Sequence, residues 1–538
     1  MWKLGHTPIK LNELYNALQD YPNKDIAELL KNGFTYGFKI NYTGPRMSFE
    51  SKNLKSVLQN PDEAVKKVEN EVGLGRIAGP FALRPISNLR CSPIGLIPKK
   101  TSGWRLITHL SYPPNNSVND FIDETLTSVQ YSSFDNAISI VKKFGKNAKI
   151  GKMDIKSAFR LLPVYPGDFD LLGFKIGNYY YIDKCMPMGC SISCSTFEHF
   201  STFLHWLVEQ KHGSKNLDHY LDDFFFAGKD DSECLSLMSE FKVTCKALGV
   251  PIADEKTEGP AMVMEYLGLT IDTETLTVKI PKEKINELLS KINQAMFSKK
   301  VTLKQLQSLC GSLAFCSRAL PSGRAFSRRL YLAMSKAKKP HHFIRITKDI
   351  FEDLMIWKQF IEKFNGTSYM LDDWVSNVDL KLYTDSAGGA SKGCGAYCQD
   401  KWVYLQWPLE WTDSEILKDI TFLEIIPIAL AIFLWYKLFH KKRIIFYIDN
   451  LAVVSILNSK SSKSARVMVL LRFIVYWTLV GNFHFKAVHI SSSNNIIADL
   501  LSRGKFQKFR ELVPSADPVP MTVPLEFWNL LEKSLTVS

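Results

Sequence analysis

The chain has 538 residues, more than a single hydrophobic core organises, and is therefore expected to divide into about three or four domains. Hydrophobic residues make up 46% and charged residues 22% of the sequence, which excludes a disordered or fibrous protein. The formal net charge of +13 favours a polyanionic partner, either nucleic acid or an anionic membrane surface.

The first 75 residues form an N-terminal extension in which we find no functional motif. The first ten residues lack the apolar core of a signal peptide, and the ten cysteines of the chain show neither a CxxC pair nor zinc-ligand spacing. Both observations favour a reduced intracellular protein without structural zinc. The extension is predicted to end in an amphipathic helix starting at Pro61, with apolar residues at helical spacing at Ala64, Val65, Val68 and Val72.

Residues 76–281 alternate between strand and helix signals, and short strands and hairpins are predicted between Gly79 and Pro114. Residues 282–340 are predicted to be helical. Thr302 is expected to cap a helix, because Gln305 follows it three residues later. An apolar stripe at helical spacing supports an earlier helix at Ile285, Leu288, Leu289 and Ile292.

Residues 341–378 connect the helical region to a second α/β unit at 379–504, which is predicted to begin with a strand at 380–384. The only continuously apolar run, 425–436, is shorter than the ~20 residues of a membrane span, so a buried helix is predicted there. Residues 505–538 contain several prolines and are predicted to form an extended tail or a docking peptide.

Two segments of residues 76–281 carry carboxylates at positions suited to binding divalent metal ions. Asp154 ends a predicted strand, whereas Asp222 and Asp223 lie at the tip of a predicted hairpin. Phosphoryl transfer to a hydroxyl uses two divalent ions about 3.5–4 Å apart, which need several converging carboxylate oxygens. The alternative is that the Asp pair merely occupies a turn, where Asp is a common residue.

Four further acids lie on successive predicted elements of residues 379–504. They lie, in order, at the end of a strand, at the start of the apolar helix, at the end of a second strand and in a final helix: Asp385, Glu424, Asp449 and Asp499. Such a set suits a nuclease that uses two metal ions to activate water. Each acid taken alone also fits a turn or a helix N-terminus.

The segment Tyr220-Leu221-Asp222-Asp223, about seventy residues after Asp154, resembles the paired metal-binding motifs of reverse transcriptases. The resemblance implies that these acids bind two Mg²⁺ ions, or Mn²⁺ in their place, and catalyse DNA synthesis. It also implies roles for other residues: triphosphate binding by Lys99, Lys100 and Arg105, exclusion of the ribose 2′-hydroxyl by Phe159, support of the templating base and incoming nucleotide by Met188 and Gly189, and proton donation to the leaving pyrophosphate by Lys256.

The order of the four acids in residues 379–504 resembles the ribonuclease H fold. The resemblance implies that these acids bind two further Mg²⁺ ions and that the domain cleaves RNA in an RNA–DNA hybrid. His489 lies ten residues before Asp499, the place of the family's mobile histidine that assists product release. The loop 491–493 lacks the usual second glycine, so a purely structural His489 stays the alternative.

Three stretches resemble DIRS-type retrotransposons: residues 74–81, residues 105–113 together with 117–120, and residues 323–330. This resemblance implies integration by a separately encoded tyrosine recombinase. Two positions depart from the family pattern, since Cys194 replaces the proline usual after Ser193, and Met188 replaces the Gln or Phe usual before Gly189. Both departures put the contact with the template base in doubt.

These resemblances imply a multidomain α/β and α+β protein: a right-hand polymerase with fingers and palm at 76–281, a thumb at 282–340 and a connection at 341–378, followed by a ribonuclease H domain at 379–504 and a tail at 505–538. The implied partners are an RNA template, a DNA primer, RNA–DNA hybrid, deoxynucleoside triphosphates and the recombinase, in the cytoplasm or nucleus and without a membrane.

Three alternatives stay open at the level of the sequence. The first is a reverse transcriptase of an LTR retrotransposon or pararetrovirus. The second is a non-catalytic nucleic-acid scaffold, which is expected to lose metal-binding carboxylates, whereas all seven are present here. The third is a viral RNA-dependent RNA polymerase, which would need neither Phe159 nor a ribonuclease H domain.

Overall fold

The computed structural model describes residues 2–99, 103–364, 368–369, 374–375, 377–412, 414–440 and 442–536. The chain forms two compact units. Unit 1 consists of Met1–Leu267 and Thr273–Thr275, and unit 2 consists of Gly268–Asp272 and Leu276–Ser538. All regions from residue 282 onward therefore belong to one unit.

Unit 1 contains eight helices and twelve strands within its described residues. The helices are α1 (Leu11–Gln19), α2 (Lys24–Tyr36), α3 (Lys55–Gln59), α4 (Pro61–Gly73), α5 (Glu124–Thr127), α6 (Phe134–Phe144), α7 (Ile192–His212) and α8 (Asp231–Leu248). The strands are β1 (Phe49–Glu50), β2 (Ile77–Phe81), β3 (Arg90–Cys91), β4 (Ile94–Pro98), β5 (Trp104–Thr108), β6 (Lys149–Asp154), β7 (Gly173–Ile176), β8 (Tyr179–Asp183), β9 (Leu217–Tyr220), β10 (Asp223–Gly228), β11 (Glu258–Ala261) and β12 (Val263–Tyr266).

Two sheets and the hairpin β4-β5 make up the main β-structure of unit 1. The first sheet has the strand order β1-β3-β7-β8-β2, and the second has the order β11-β6-β10-β9 with antiparallel neighbours throughout. Phe224, Phe225 and Phe226 of β10 are all buried, because helices α6 and α8 pack on this strand and Tyr266 lies against Phe225. Because β10 is buried on both faces, the position of its first residue, Asp223, is fixed by packing.

Unit 2 contains the remaining elements. Its strands are β13 (Leu269–Asp272), β14 (Thr277–Lys279), β15 (Lys300–Thr302), β16 (Phe343–Arg345), β17 (Ser368–Tyr369), β18 (Trp374–Val375), β19 (Leu382–Ser386), β20 (Gly393–Cys398), β21 (Lys401–Gln406), β22 (Arg443–Ile448) and β23 (His484–His489). Its helices are α9 (Lys282–Phe297), α10 (Leu303–Cys316), α11 (Arg328–Met334), α12 (Lys348–Phe364), α13 (Asn377–Leu380), α14 (Ile420–Trp435), α15 (Leu451–Ser459), α16 (Ala465–Val480), α17 (Ile496–Ser502), α18 (Phe506–Leu512) and α19 (Leu525–Leu535).

The last third of unit 2 combines antiparallel and parallel strands. Strands β19-β20-β21 form an antiparallel sheet, and β18-β22-β23 form a parallel one. Helix α14 packs against β19, β20 and α16 and is buried on most of its surface, since apolar residues surround it. This confirms the predicted buried helix, and no helix among the described residues is long and apolar enough to cross a membrane.

Several local predictions are confirmed. Helix α4 begins at Pro61 and buries Ala64 and Val68, and Thr302 and Gln305 form the predicted capping box at the start of α10. The predicted strand at 380–384 is shifted, because the short helix α13 extends to Leu380 and the strand begins at Leu382.

The predicted extended tail at 505–538 is wrong for its described part. Residues 506–512 and 525–535 form helices α18 and α19. Phe509, Phe527 and Leu531 are buried against the rest of unit 2, so apolar residues at helical spacing override the prolines, which lie outside the two helices.

Candidate active sites

The first candidate site lies at one end of the sheet β11-β6-β10-β9. Strand β6 ends at Asp154 and β10 begins at Asp223, and the two residues are paired directly in the antiparallel register. Asp222 lies in the tight turn between Tyr220 and Asp223, where Leu221 has a left-handed backbone with φ of 55°. The structure thus brings the three acids of the first predicted set together at one strand edge.

The carboxylates of this group repel one another in a buried environment. Burial raises the pKa of Asp222 to about 6, and the charge of Asp154 adds to the shift. Burial also raises the pKa of Asp223 to about 7, with further contributions from Asp222 and Asp154. Crowded, buried carboxylates of this kind fit a divalent cation, whose charge would stabilise their ionised forms.

Among the predicted basic residues that the structure describes, Lys256 contacts this group directly. Its Nζ donates a hydrogen bond to Oδ2 of Asp154 at 2.7 Å. Arg105 lies on the exposed side of the hairpin β4-β5, and its positive charge lowers the pKa of Asp222 as the smallest of several effects. Lys99 is exposed directly after β4, and Lys100 lies outside the described residues.

The predicted aromatic residues lie next to the acids. Phe159 belongs to the 3₁₀ helix Ala158–Leu161 that follows β6. It is half-buried and meets Phe197 of α7 edge to face, with ring centroids 5.8 Å apart. Tyr220 packs against Tyr131 at 4.7 Å between ring centroids.

The loop before α7 approaches β5 very closely. The backbone N–H of Thr108 donates to the carbonyl of Met188 at 2.9 Å, and Gly189 has φ of 116°. A Cβ atom on Gly189 would overlap the carbonyl oxygen of Thr108. Asn119 also fixes this loop, since its Nδ2 donates to the Gly189 carbonyl at 2.9 Å and its Oδ1 accepts from the Ser191 amide at 3.0 Å.

Gly189→Ala is expected to lower the free energy of unfolding of unit 1 by about 2–4 kcal/mol, because both the backbone angle and the contact with Thr108 exclude a methyl group. The measurement is the denaturant midpoint of tryptophan fluorescence. Gly213→Ala is the matched control: Gly213 also has a positive φ, but open space surrounds it, so a loss of only about 1 kcal/mol is expected. Equal losses in both variants would show that the contact with Thr108 is unimportant.

Two contributors to this site were not predicted from the sequence. Asn119 donates a hydrogen bond to the carbonyl of Gly189. Glu198 of α7 accepts a hydrogen bond from the Leu221 amide through Oε2 at 3.2 Å. Glu198 is buried and so supports the strained turn that carries Asp222. Local sequence contains no signal for either contact, since both join segments that are distant along the chain.

The second candidate site lies in unit 2, where β19, β22 and α14 meet. One carboxylate oxygen from each of Asp385, Glu424 and Asp449 lies within 4.8 Å of the other two. Asp385 belongs to β19, and Asp449 follows β22 directly. Glu424 was predicted at the start of the apolar helix but lies in the second turn of α14, because the helix begins four residues earlier, at Ile420. Oδ2 of Asp385 accepts a hydrogen bond from Ser502 of α17 at 2.6 Å, and Oδ2 of Asp449 accepts from Ser492 at 2.7 Å.

The remaining predicted residues of this site lie at its margin. Asp499 of α17 is outside the three-acid grouping within the described residues, and its Oδ1 accepts a hydrogen bond from Nε of Arg503 at 2.6 Å. His489 is exposed at the end of β23, where it is paired in register with Ile448, the residue before Asp449.

Burial dominates the electrostatics of the second site. It raises the pKa of Asp385 to about 7 and the pKa of Glu424 to about 9, and the charges of the neighbouring acids add to both shifts. A carboxyl group that is harder to ionise in the folded state destabilises the fold as the pH rises from the unfolded-state pKa to the folded-state pKa. Without metal, unit 2 should therefore lose stability as the pH rises from about 4 to about 9.

Glu424→Gln is expected to raise the thermal unfolding midpoint of metal-free protein at pH 8.5 by about 5 °C, because Glu424 is ionised in the unfolded chain and must take up a proton on folding, whereas the amide needs none. The measurement is differential scanning calorimetry in EDTA at pH 8.5 and pH 5. The gain should shrink at pH 5, which lies close to the ordinary pKa of glutamate, so that folding requires less proton uptake there. An unchanged or lower midpoint at pH 8.5 would contradict the raised pKa.

Comparisons with known proteins assign the first site to a family. Residues 97–271 match the family model described as reverse transcriptase (RNA-dependent DNA polymerase). The Pro-Pol polyprotein of feline foamy virus is 24% identical over 281 residues, which cover 52% of this chain and 22% of the polyprotein. The transposon Tf2-7 polyprotein of Schizosaccharomyces pombe is 21% identical over 325 residues, which cover 59% of this chain and 23% of the polyprotein.

The chain thus spans less than a quarter of the length of these curated relatives. Among solved structures, the foamy viral protease-reverse transcriptase dRH in complex with double-stranded DNA is similar in fold. Its TM-score is 0.50 at 15% identity, with 89% of this chain and 81% of that chain covered. The chain therefore has the predicted right-hand polymerase fold, and its residues 97–271, which include Asp154, Asp222 and Asp223, form a reverse transcriptase domain.

Proposed function

We propose that this protein is an RNA- and DNA-directed DNA polymerase with ribonuclease H activity, which copies the RNA of a retroelement into DNA. The observation that carries the proposal is the direct pairing of Asp154 with Asp223 beside Asp222, inside the segment that matches the reverse transcriptase family. The expected partners are an RNA template, a DNA primer, RNA–DNA hybrid and deoxynucleoside triphosphates.

In the polymerase site, Asp154, Asp222 and Asp223 would hold Mg²⁺, or Mn²⁺ in its place, with two ions per site. Such ions supply activation of the primer hydroxyl and charge neutralisation at the phosphates. Arg105, Lys99 and Lys100 would bind the triphosphate, since positive charge is needed where negative charge develops.

Lys256 is positioned to act on protons in this site. Its ammonium group contacts Asp154 at 2.7 Å, so it lies within reach of groups bound at the carboxylates. We assign it the donation of a proton to the leaving pyrophosphate, which is general acid catalysis. Met188 and Gly189, fixed by Thr108 and Asn119, would support the templating base and incoming nucleotide, and Tyr220 would line the primer side of the turn.

Phe159 is proposed to select deoxynucleotides by filling the space of a ribose 2′-hydroxyl. Phe159→Val is expected to raise the efficiency of ribonucleotide incorporation relative to deoxynucleotide incorporation by about 10- to 100-fold. The measurement is single-nucleotide primer extension with each substrate over a range of concentrations. Phe159→Tyr keeps the ring and is the control that should retain discrimination. If the valine variant and wild type have the same ratio of ribonucleotide to deoxynucleotide incorporation, Phe159 does not select the sugar.

In the nuclease site, Asp385, Glu424 and Asp449 would hold two Mg²⁺ ions, with Asp499 as the fourth acid. Such ions supply an activated water directed at the RNA strand. Ser502 orients Asp385, and Arg503 holds the carboxylate of Asp499, which must leave this pair to join the other acids. We propose that exposed His489 assists product release.

The domain boundaries proposed for these activities are fingers and palm at 76–281, thumb at 282–340, connection at 341–378 and ribonuclease H at 379–504. Within the retroelements we favour a DIRS-type element with a separate tyrosine recombinase, acting in the cytoplasm or nucleus. The similarity to foamy virus and Tf2 polyproteins favours a retroviral or LTR-type enzyme as the second candidate.

A doubly labelled hybrid tests both proposed activities at once. A DNA primer labelled with one dye is annealed to an RNA template labelled with another, and Mg²⁺ and deoxynucleotides are added. Lengthening of the primer together with shortening of the RNA supports the proposal. Tight binding of the hybrid without either reaction would instead favour a nucleic-acid scaffold.

A further inference from the structure

A cluster of histidines and acids lies behind the catalytic turn of unit 1, outside the polymerase site. His205 projects from α7, and Asp218 and His219 are neighbours on β9. One ligand atom from each of the three residues lies within 4.8 Å of the other two. Asp218 and His219 are buried, and His205 is half-buried, so the cluster belongs to the interior rather than to the solvated surface.

The two imidazole rings face each other through the same type of nitrogen. Nδ1 of His205 lies 2.8 Å from Nδ1 of His219. The other nitrogen of each ring faces a carboxylate: Nε2 of His219 lies 3.3 Å from Oε1 of Glu198, and Nε2 of His205 lies 3.3 Å from Oε1 of Glu209. Each ring is thus held between a carboxylate and the other ring.

Two neutral histidines satisfy this arrangement only in part. A neutral imidazole carries one N–H, and each Nε2 needs that hydrogen to donate to its ionised carboxylate. Both Nδ1 atoms then present lone pairs to each other at 2.8 Å, which is repulsive. If Nδ1 of His219 carries the hydrogen instead, it can donate to His205, but its Nε2 then turns a lone pair towards Glu198, with the Thr202 hydroxyl at 3.4 Å as a donor.

A metal ion bound to both Nδ1 atoms would resolve this conflict once the rings move from 2.8 Å to the ~3.3 Å separation that two ligands on a tetrahedral ion require. A metal-bound histidine normally uses one nitrogen for the metal and donates the other N–H to a carboxylate, which fixes the ring. Here both histidines have that carboxylate in place, in Glu198 and Glu209. Asp218 supplies a third ligand group, and its orientation is fixed because Ser132 Oγ lies 2.6 Å and 2.7 Å from its two carboxylate oxygens.

We propose that His205, His219 and Asp218 bind a divalent transition-metal ion of the zinc class through the two Nδ1 atoms and one carboxylate oxygen. Two imidazoles and one carboxylate suit zinc and its neighbours, whereas Mg²⁺ prefers oxygen ligands alone. This site was not predictable from the sequence, because it has no closely spaced Cys or His ligands. His205 of the helix and Asp218 of the strand are thirteen residues apart.

This metal would also support the catalytic turn. Glu198 connects the proposed metal site to the turn, because its Oε1 faces His219 while its Oε2 accepts a hydrogen bond from the Leu221 amide. A metal that fixes the His219 ring therefore fixes Glu198, and Glu198 holds the left-handed Leu221 beside Asp222. The site is structural, and the metal is separate from the ions of the polymerase reaction.

The test measures metal retention in the full chain. The protein is stripped with EDTA, loaded with Zn²⁺ and dialysed against excess Mg²⁺, which keeps the two catalytic sites filled with the harder ion. Elemental analysis should find about one zinc per chain in wild type and about none in His205→Gln or His219→Gln. His212→Gln alters a half-buried histidine of the same helix that lies outside the cluster, and it is the matched control that should keep its zinc.

A second measurement covers variants that fail to fold. Zn²⁺ should raise the thermal midpoint of stripped wild type in excess Mg²⁺, and Co²⁺ in its place should give the visible absorption of a nitrogen-ligated ion. Wild type that retains no zinc and gains no stability would overturn the proposal and leave a proton shared by the two rings. Zinc retained equally by the His205 and His219 variants would overturn it as well.

Discussion

Asp222→Asn is expected to reduce primer extension by about three orders of magnitude or more, because a neutral amide replaces a carboxylate at the centre of the acid group. The change is nearly isosteric, so the turn at Leu221 and the hydrogen bond that its amide donates to Glu198 should persist. Cleavage of RNA in a hybrid should stay within about twofold of wild type, since the nuclease acids lie in the other unit. Both rates are measured on the same protein preparation.

The matched control for Asp222→Asn is Asp135→Asn, which makes the same chemical change at an exposed position of α6. This variant should extend primers like wild type. Extension by Asp222→Asn at more than about a tenth of the wild-type rate would contradict a metal-binding role for Asp222.

Asp449→Asn is expected to have the opposite effect, with hybrid cleavage reduced by about three orders of magnitude and primer extension retained. Asp449 is the least enclosed of the three grouped acids, so its replacement should disturb the fold of unit 2 little. The measurement is the rate of cleavage of labelled RNA in a preformed hybrid without nucleotides.

Glu410→Gln is the control for this second variant, because Glu410 is an exposed acid of the same unit. It should cleave like wild type. If Asp449→Asn and Glu410→Gln both lose cleavage, or if neither does, the cluster of Asp385, Glu424 and Asp449 is not the site of the nuclease activity.

The acids of both sites were predictable because each follows or begins a regular element with a clear local pattern. The three phenylalanines of β10 identify a buried strand, and Asp222 and Asp223 at its start can lie only at the strand edge. The same holds for Asp385 at the end of β19, whereas Glu424 lies in the second turn of its apolar helix rather than at the predicted start. Strand ends converge in space, so their order along the chain was sufficient.

The supporting contacts were not predictable, since they depend on pairs of segments that meet only in the folded chain. Glu198 and Leu221 are 23 residues apart, and Asp385 and Ser502 are 117 residues apart. The pairing of Asp499 with Arg503 is local, but a pattern of acids alone does not reveal which of them a neighbouring arginine holds. The helices of the tail were not predictable from its prolines, which favour extended chain, because Phe509 and Phe527 become buried only in the folded unit.

The two candidate sites share carboxyl groups with raised pKa values. Each contains a carboxyl group whose pKa is raised to about 7 or above by burial and by neighbouring acids. Divalent metal binding must displace the protons from these groups, so both activities should become more dependent on metal concentration as the pH falls below about 7.

The most direct test of the central claim is extension of a DNA primer on an RNA template by wild type, with Mg²⁺ and either deoxynucleotides or ribonucleotides. The account predicts full-length products with deoxynucleotides, little extension with ribonucleotides and no products from Asp222→Asn. Extension that prefers ribonucleotides, or equal extension by wild type and Asp222→Asn, would contradict the assignment of a reverse transcriptase centred on Asp154, Asp222 and Asp223.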